Sequence, residues 1–312
     1  MDRGAYIVSR LLQMVPVLIV LAVLVFMMIR LIPGDPAVTL LGVEATTDKV
    51  VALRQHLGLD QPLWYQFWLF ASGLAHGDLG TSFIVRVPVL QLVAERLPLT
   101  LFLVAYAMTI AVILTFPLAL LAALRRDSVF DQIIRGFTVA TMSTPGFWIG
   151  ILLLILLGVK LSLFPVGGAG KTWGDRFYFL FLPALTLALG VSAVLIRNLR
   201  DAILSTLSAE HVVFARAKGL NRKLVLVKHV LRNALISTVT LFGLYVGFLV
   251  GGSVIIESVF ALPGMGSMMV TAILGRDYQV VQGFTLVYAV LVSIVYLLTD
   301  ITYSFVDPRI TL

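Results

Sequence analysis

Pro165-Val166-Gly167-Gly168-Ala169-Gly170-Lys171-Thr172 is the run with most promise for chemistry. It resembles a phosphate loop, in which backbone amides and a lysine cradle a nucleotide. That pattern needs glycine five residues ahead of the Gly-Lys-Thr run, and Pro165 stands there. Neither a preceding strand nor a following apolar helix is present, since Trp173-Gly174-Asp175-Arg176 comes next. The run reads as a glycine-rich external turn. His56, His76, His211 and His229 are scattered without metal-ligand spacing. The chain contains no HExxH helix, no GxSxG turn and no pair of aspartates within an apolar segment. Cysteine is absent, which removes disulfides and thiolate chemistry. No catalytic residue, metal site or cofactor is expected.

A denser signal lies at 208–237, SAEHVVFARAKGLNRKLVLVKHVLRNALIS. Its basic residues are Arg216, Lys218, Arg222, Lys223, Lys228 and Arg232, against a single acid, Glu210. Ser208 is placed to cap a short helix with Glu210 in its first turn and Arg216 and Lys218 in its last. Gly219 then suits a left-handed C-terminal residue. Asn221 can cap a second short helix, with Leu220 stapled onto Val225. Leu220, Leu224, Val227, Leu231 and Leu235 follow helical spacing and predict its apolar face. The result is a helix–glycine–helix elbow between apolar segments. On composition alone it could rest on anionic lipid headgroups.

The elements that position this elbow follow from composition. Hydrophobic residues make up 60% and charged ones 12%, and the mean hydropathy is +1.03. Such a chain belongs in a bilayer. The net charge of +7 is not gathered into one patch but sits at the ends of apolar segments, so no nucleic-acid partner is expected. Six charge-free intervals are long enough to span: Arg10 to Arg30, Arg96 to Arg125, Arg135 to Lys160, Arg176 to Arg197, Arg232 to Glu257, and Asp277 to Asp300. The first lacks a cleavage site, so it is expected to stay as a membrane helix. Gln61 to Gly77, with Trp64, Tyr65, Phe67, Trp68 and Phe70, predicts an interfacial helix within an external loop at 32–96. The expected fold is therefore all-α, one polytopic domain over 1–312 with six transmembrane helices.

The cationic residues orient it. With the N-terminus inside, the inside loops carry Arg3, Arg10, Arg125, Arg126, Arg135, the eight cations from Arg197 to Arg232, and Arg309. The short outside loops carry only Lys160, Lys171, Arg176 and Arg276. Both termini and the elbow are thus expected in the cytoplasm. No charge falls at the middle of a span, which disfavours an ion-coupled carrier and places the energy source in another protein. A passive channel is the alternative from another class, disfavoured by the same absence and by the elbow, and a membrane enzyme is disfavoured by the lack of a catalytic constellation.

ARAKGL at 215–220 and KHVLRNAL at 228–235, at fixed separation, resemble the cytoplasmic loop of binding-protein-dependent ABC importer permeases. The likeness is strongest to the dipeptide, oligopeptide and nickel branch. It extends to RLL at 10–12 with Pro16, PGDP at 33–36, LGLDQPLWYQF at 57–67, HGDLGTSF at 76–83, PGMG at 263–266, RDY at 276–278 and Asp307-Pro308-Arg309. Ser237 departs from the proline usual there, although serine can cap the same helix end. The resemblance implies a permease of a bacterial inner-membrane importer for peptides, or for nickel complexes, glutathione or sugars. The implied partners are a second homologous permease, cytoplasmic ATPase subunits and an extracytoplasmic solute-binding protein. It also implies that Glu210, Ala215, Arg216, Ala217, Lys218, Gly219 and Leu220 dock the ATPase, and that 257–283 is a re-entrant external loop. Gly243, Gly247 and Gly251, at four-residue spacing, mark a close helix seam, internal or facing a partner or the pathway. Pro117, Pro145 and Pro183 are either packing kinks or bends along that pathway.

Overall fold

The computed structural model describes residues 3–31, 38, 45–56 and 58–306. The proline-rich turn at 33–36 and the terminus at 307–309 lie outside these. The helices in chain order are α1 (Arg3–Leu31), α2 (Thr47–His56), α3 (Leu63–Ala75), α4 (Val89–Leu124), α5 (Val129–Ser143) and α6 (Gly146–Lys160). They continue as α7 (Trp173–Phe179), α8 (Phe181–Leu207), α9 (Glu210–Ala217), α10 (Arg222–Val259), α11 (Met265–Leu274) and α12 (Tyr278–Val306). Among the described residues no β-strand forms. The chain is an all-α polytopic membrane protein: α1, α4, α8, α10 and α12 are each long and apolar enough to cross a bilayer. α5 and α6 supply the sixth crossing when taken as one broken span bent by 107°.

The break has a local cause. Thr144 precedes Pro145 and is extended (φ −108°, ψ 132°), because the proline ring disfavours helix at the residue before it. Pro145 then opens α6, its carbonyl accepting from Trp148 N. The three prolines thus differ: Pro145 breaks a span, Pro117 stays within α4, and Pro183 sits in the first turn of α8, where a missing N–H leaves no helical bond unmade.

α8 is the central post. Two thirds of its most apolar window is buried, against about a tenth for α1. Ala184 and Ala188 of α8 share one core with Leu103, Ala107 and Ala111 of α4 and with Leu249 and Val250 of α10. The small side chains let the backbones approach closely. α4 starts at Val89, so the loop before it ends at Pro88, eight residues before the boundary expected at Arg96. Val89, Leu92 and Val93 are buried against Met265 and Ala272 of α11 and Val280 and Phe284 of α12. Packing on protein, not the nearest charge, sets that helix end.

Two buried carboxylates pin the segments that connect the spans at the end opposite the elbow. Glu257 accepts from Thr100 Oγ1 (2.7 Å), Gly266 N (2.7 Å) and Ser267 N (3.2 Å), which folds 257–267 back onto α4. Asp277 accepts from Ser82 Oγ and Ile84 N, which holds the segment before α4 to the start of α12. α3 lies along the outer end of α1, Phe67 and Phe70 packing on Phe26, with Trp64 and Trp68 exposed. None of its residues is buried.

The glycines of α10 do not act as one ladder. A Cβ at Gly243 would strike the Thr299 side chain and one at Gly247 would meet Tyr296, both on α12, whereas one at Gly251 would meet nothing within 4 Å. Four-residue spacing drifts by about 40° per step, so the third glycine leaves the seam. We expect Gly243→Ala to cost about 1–3 kcal/mol through overpacking, seen as a lowered midpoint of thermal unfolding in detergent. Gly251→Ala should leave the midpoint unchanged or raise it slightly. Equal effects at the two positions would contradict this assignment.

Candidate functional site

α8 runs to Leu207, further than the charge-free interval ending at Arg197 suggests. Ser208 therefore ends α8 instead of capping α9: its Oγ donates to Ser205 O (2.9 Å). The carbonyls left free at a helix end draw the hydroxyl back. α9 starts after Ala209 with no side-chain cap, with Glu210 in its first turn and Arg216 in its last. Lys218 follows as the C-cap, its Nζ 4.7 Å from the centre of the Phe214 ring.

Gly219 has φ +77° and donates its N–H to Arg216 O (2.9 Å). A Cβ there would meet nothing within 4 Å. The demand for glycine is therefore one of backbone conformation alone, worth about 1 kcal/mol. Asn221 Oδ1 accepts from Lys223 N (2.9 Å) and opens α10, as its type predicts. No separate second short helix follows. Arg222–Val259 is continuous, so Ser237 caps nothing; its Oγ donates to Ala234 O within the helix.

The expected apolar face of this second segment needs correction. Leu220, Leu224 and Val227 are exposed, Leu231 and Leu235 are partly buried against the core as expected, and the fully buried positions are Val225, Val230 and Ala234. Val225–Leu231 is π-helical. Its wider turn moves the buried position from four residues on to five, so a stripe drawn at ordinary helical spacing points outward over its first three residues.

α9 consequently has two unlike faces. Val212 and Ala215 are buried with Leu199 and Ile203 of α8, Ala119 and Ala122 of α4, Ile134 of α5, and Val225 and Val230 of α10. Ala215 thus belongs to the chain's own core, not to the outward face expected for it. Glu210, Ala217, Lys218, Gly219 and Leu220 are exposed, together with His211, Val213 and Phe214. Phe214 is 63% exposed and Val213 55%. Two bare apolar side chains among charged ones on a helix this firmly seated mark a contact surface. The sequence held that signal in Val212-Val213-Phe214, since one valine suffices for the buried face.

A buried ion pair braces the same end of the bundle and went unnoticed in a count of cations alone. Asp131 of α5 is fully buried and accepts from Arg200 Nε and Nη2 of α8, each at 2.7 Å, and from Asp127 N at 3.0 Å. This two-pronged contact fixes the broken span to the helix that carries the elbow.

The Gly170-Lys171-Thr172 turn cannot serve as a phosphate loop. The amides of Lys171 (3.3 Å) and Thr172 (3.0 Å) both donate to Asp175 Oδ2, occupying the groups a phosphate would need. The Thr172 amide holds that carboxyl below the usual carboxylate range. Among the described residues no cluster of three or more potential metal-binding side chains forms. His211 Nε2 lies 3.4 Å from Asn233 Nδ2, which also donates to His229 O.

Residues 115–312 match the family model described as the inner membrane component of binding-protein-dependent transport systems, and residues 4–104 match its N-terminal counterpart. The chain belongs to this family. The permease is 39% identical over 305 residues to the glutathione transport system permease protein GsiC of Escherichia coli O6:H1, covering 98% of each chain. The corresponding protein of Pectobacterium atrosepticum is also 39% identical, and that of Escherichia coli K12 is 38% identical, again over 98% of each chain. Its fold matches a chain of the inward-facing MetNI methionine ABC transporter with a TM-score of 0.57, at 17% identity. That match covers 70% of this permease and 97% of the other chain. The permease is thus an ABC importer permease subunit, a multi-pass protein of the inner membrane.

Removing one partner of a buried pair leaves an uncompensated charge. Asp131→Ala is expected to destabilise the permease by about 3–5 kcal/mol, measured by thermal unfolding in detergent. Arg135→Ala, whose Nε lies 3.6 Å from Asp131 and whose side chain is half exposed, should cost under about 1 kcal/mol. A near-neutral Asp131→Ala would show that the brace is dispensable.

Proposed function

We propose that α9 is the helix through which cytoplasmic ATPase subunits drive this permease. The observation that carries the reading is the seating of α9: one face is locked into the bundle by Val212 and Ala215, the other offers Val213 and Phe214 among Glu210, Ala217 and Lys218. A helix held on one side and bare on the other transmits force as a lever, because it cannot shift without moving α8 and α10. Gly219 and Asn221 set its angle to α10. Both termini lie in the cytoplasm on this reading, in keeping with the excess of Lys and Arg on the elbow side.

Gly251 belongs to a bare stripe of α10 with Leu244, Phe248 and Ile255. We assign this stripe to the second permease subunit, with the pathway between the two. The solute is a short peptide, glutathione included, handed over by an extracytoplasmic binding protein. The names of the relatives and the lack of a coupling charge at the middle of a span support that choice.

Phe214→Asp changes an exposed side chain, so the permease should reach the membrane in normal amount. We expect loss of the ATP hydrolysis stimulated by solute-loaded binding protein in the purified complex, by at least tenfold, and loss of glutathione or dipeptide uptake. Unchanged stimulated hydrolysis would sink the docking assignment. The native chain has no cysteine, so single cysteines report topology. Cysteines replacing Arg126 or Ser205 should be shielded from an impermeant thiol reagent in intact cells, and ones replacing Thr47 or Lys171 should react. The reverse pattern would invert the orientation.

A further inference from the structure

Beside the elbow, α4, α8, α9 and α10 border a cavity of about 470 Å³. Its lining is of two kinds. Ala123 and Leu124 end α4, Leu207 ends α8, and Val225 and Leu226 belong to α10; these make an aliphatic wall. Arg216, Arg222, Lys223 and Asn221 make the polar one. No acidic side chain lines the cavity, and among the described residues none pairs with Arg216, Arg222 or Lys223. Three like charges converging on one concavity repel one another and favour an anion between them.

We propose that this cavity holds the phosphate headgroup of an anionic phospholipid from the leaflet beside the elbow. Its acyl chains leave over the Leu124–Leu207 side. The aliphatic wall is what selects a lipid over an acidic segment of a partner protein: its Ala123 and Leu124 close the charge-free stretch of α4 directly before Arg125, where headgroup and hydrocarbon meet. Arg216 also lies about 160° around α9 from Phe214, so the cavity and the bare apolar face point to different sides. A lipid seated here would touch both arms of the Gly219 turn and hold the angle between α9 and α10 at the membrane surface. The inference rests on the elbow lying at a membrane face, but not on what docks to α9.

The test is native mass spectrometry of the purified, delipidated full-length permease titrated with phosphatidylglycerol or with phosphatidylcholine. Phosphatidylglycerol should bind at least tenfold more tightly, a comparison that needs no variant. The double variant Arg222→Gln, Lys223→Gln should weaken phosphatidylglycerol roughly thirtyfold, from the loss of two cationic contacts. Lys228→Gln with Arg232→Gln removes the same charge from outside the cavity and should leave binding unchanged. Equal binding of the two lipids, or equal weakening by both double variants, would overturn the proposal. Displacement of phosphatidylglycerol by millimolar inorganic phosphate would make the site one for free anions, and displacement by added ATPase subunits would make it a protein contact; either result overturns the lipid assignment. Since lipid binding is read on the permease itself, a failure of ATPase docking would leave it standing.

Discussion

The close approach of α8 to α4 and α10 is the contact on which the rest depends. Hydrocarbon offers no hydrophobic drive between helices, so association rests on tight packing and on the few polar contacts that can be satisfied inside. Ala184 and Ala188 of α8 against Ala107 and Ala111 of α4 provide the tight packing, and the Asp131–Arg200 pair provides a polar contact at one end. Because α8 is buried along most of its length, whatever continues from it inherits a fixed position. Only two residues separate its end at Leu207 from the start of α9 at Glu210. The elbow is therefore not a loose loop between spans but an extension of the central post.

Rigidity at one end is matched by anchoring at the other. Glu257 and Asp277 are buried carboxylates whose hydrogen bonds go to segments far away in sequence: Thr100 for the first, Ser82 and Ile84 for the second. They hold the connections at that end on α4 and α12, as Asp131 holds the broken span on α8. Each satisfies its oxygens with several donors, the condition for a carboxylate to sit away from water at tolerable cost. The broken span is bent at Pro145, and its first half, α5, is the part the ion pair restrains. The bundle thus combines one continuous post, one broken span and a firmly seated elbow helix.

Much of this was legible in residue types. Charge-free intervals located the crossings because a charge is excluded from hydrocarbon whatever it packs against. Gly219 announced its positive φ and Asn221 its cap, since both are local demands that a residue type answers alone. The two sequence blocks around the elbow pointed to the permease family, and the family model spans the same region.

Other features depended on neighbours distant in the chain, and no local pattern held them. Ser208 has the chemistry of a cap, but the length of α8 decided which helix it serves. The stripe drawn from Leu220 to Leu235 obeyed ordinary helical period, yet a π-helical turn placed Val225, Val230 and Ala234 at the fully buried positions and left only Leu231 and Leu235 of the stripe packed on the core. Ala215 stood within the block that resembles an ATPase-docking helix, and only packing against α4, α8 and α10 showed that its side chain faces inward, leaving Val213 and Phe214 outside. The amino-acid sequence by itself determined that the chain crosses a membrane, where its crossings fall and where its backbone must turn, because hydration of charge and backbone sterics act at single residues. Which side of each helix is covered, which glycine touches a neighbour and which carboxylate is paired were decided by the tertiary structure, because burial is a property of what lies across the interface.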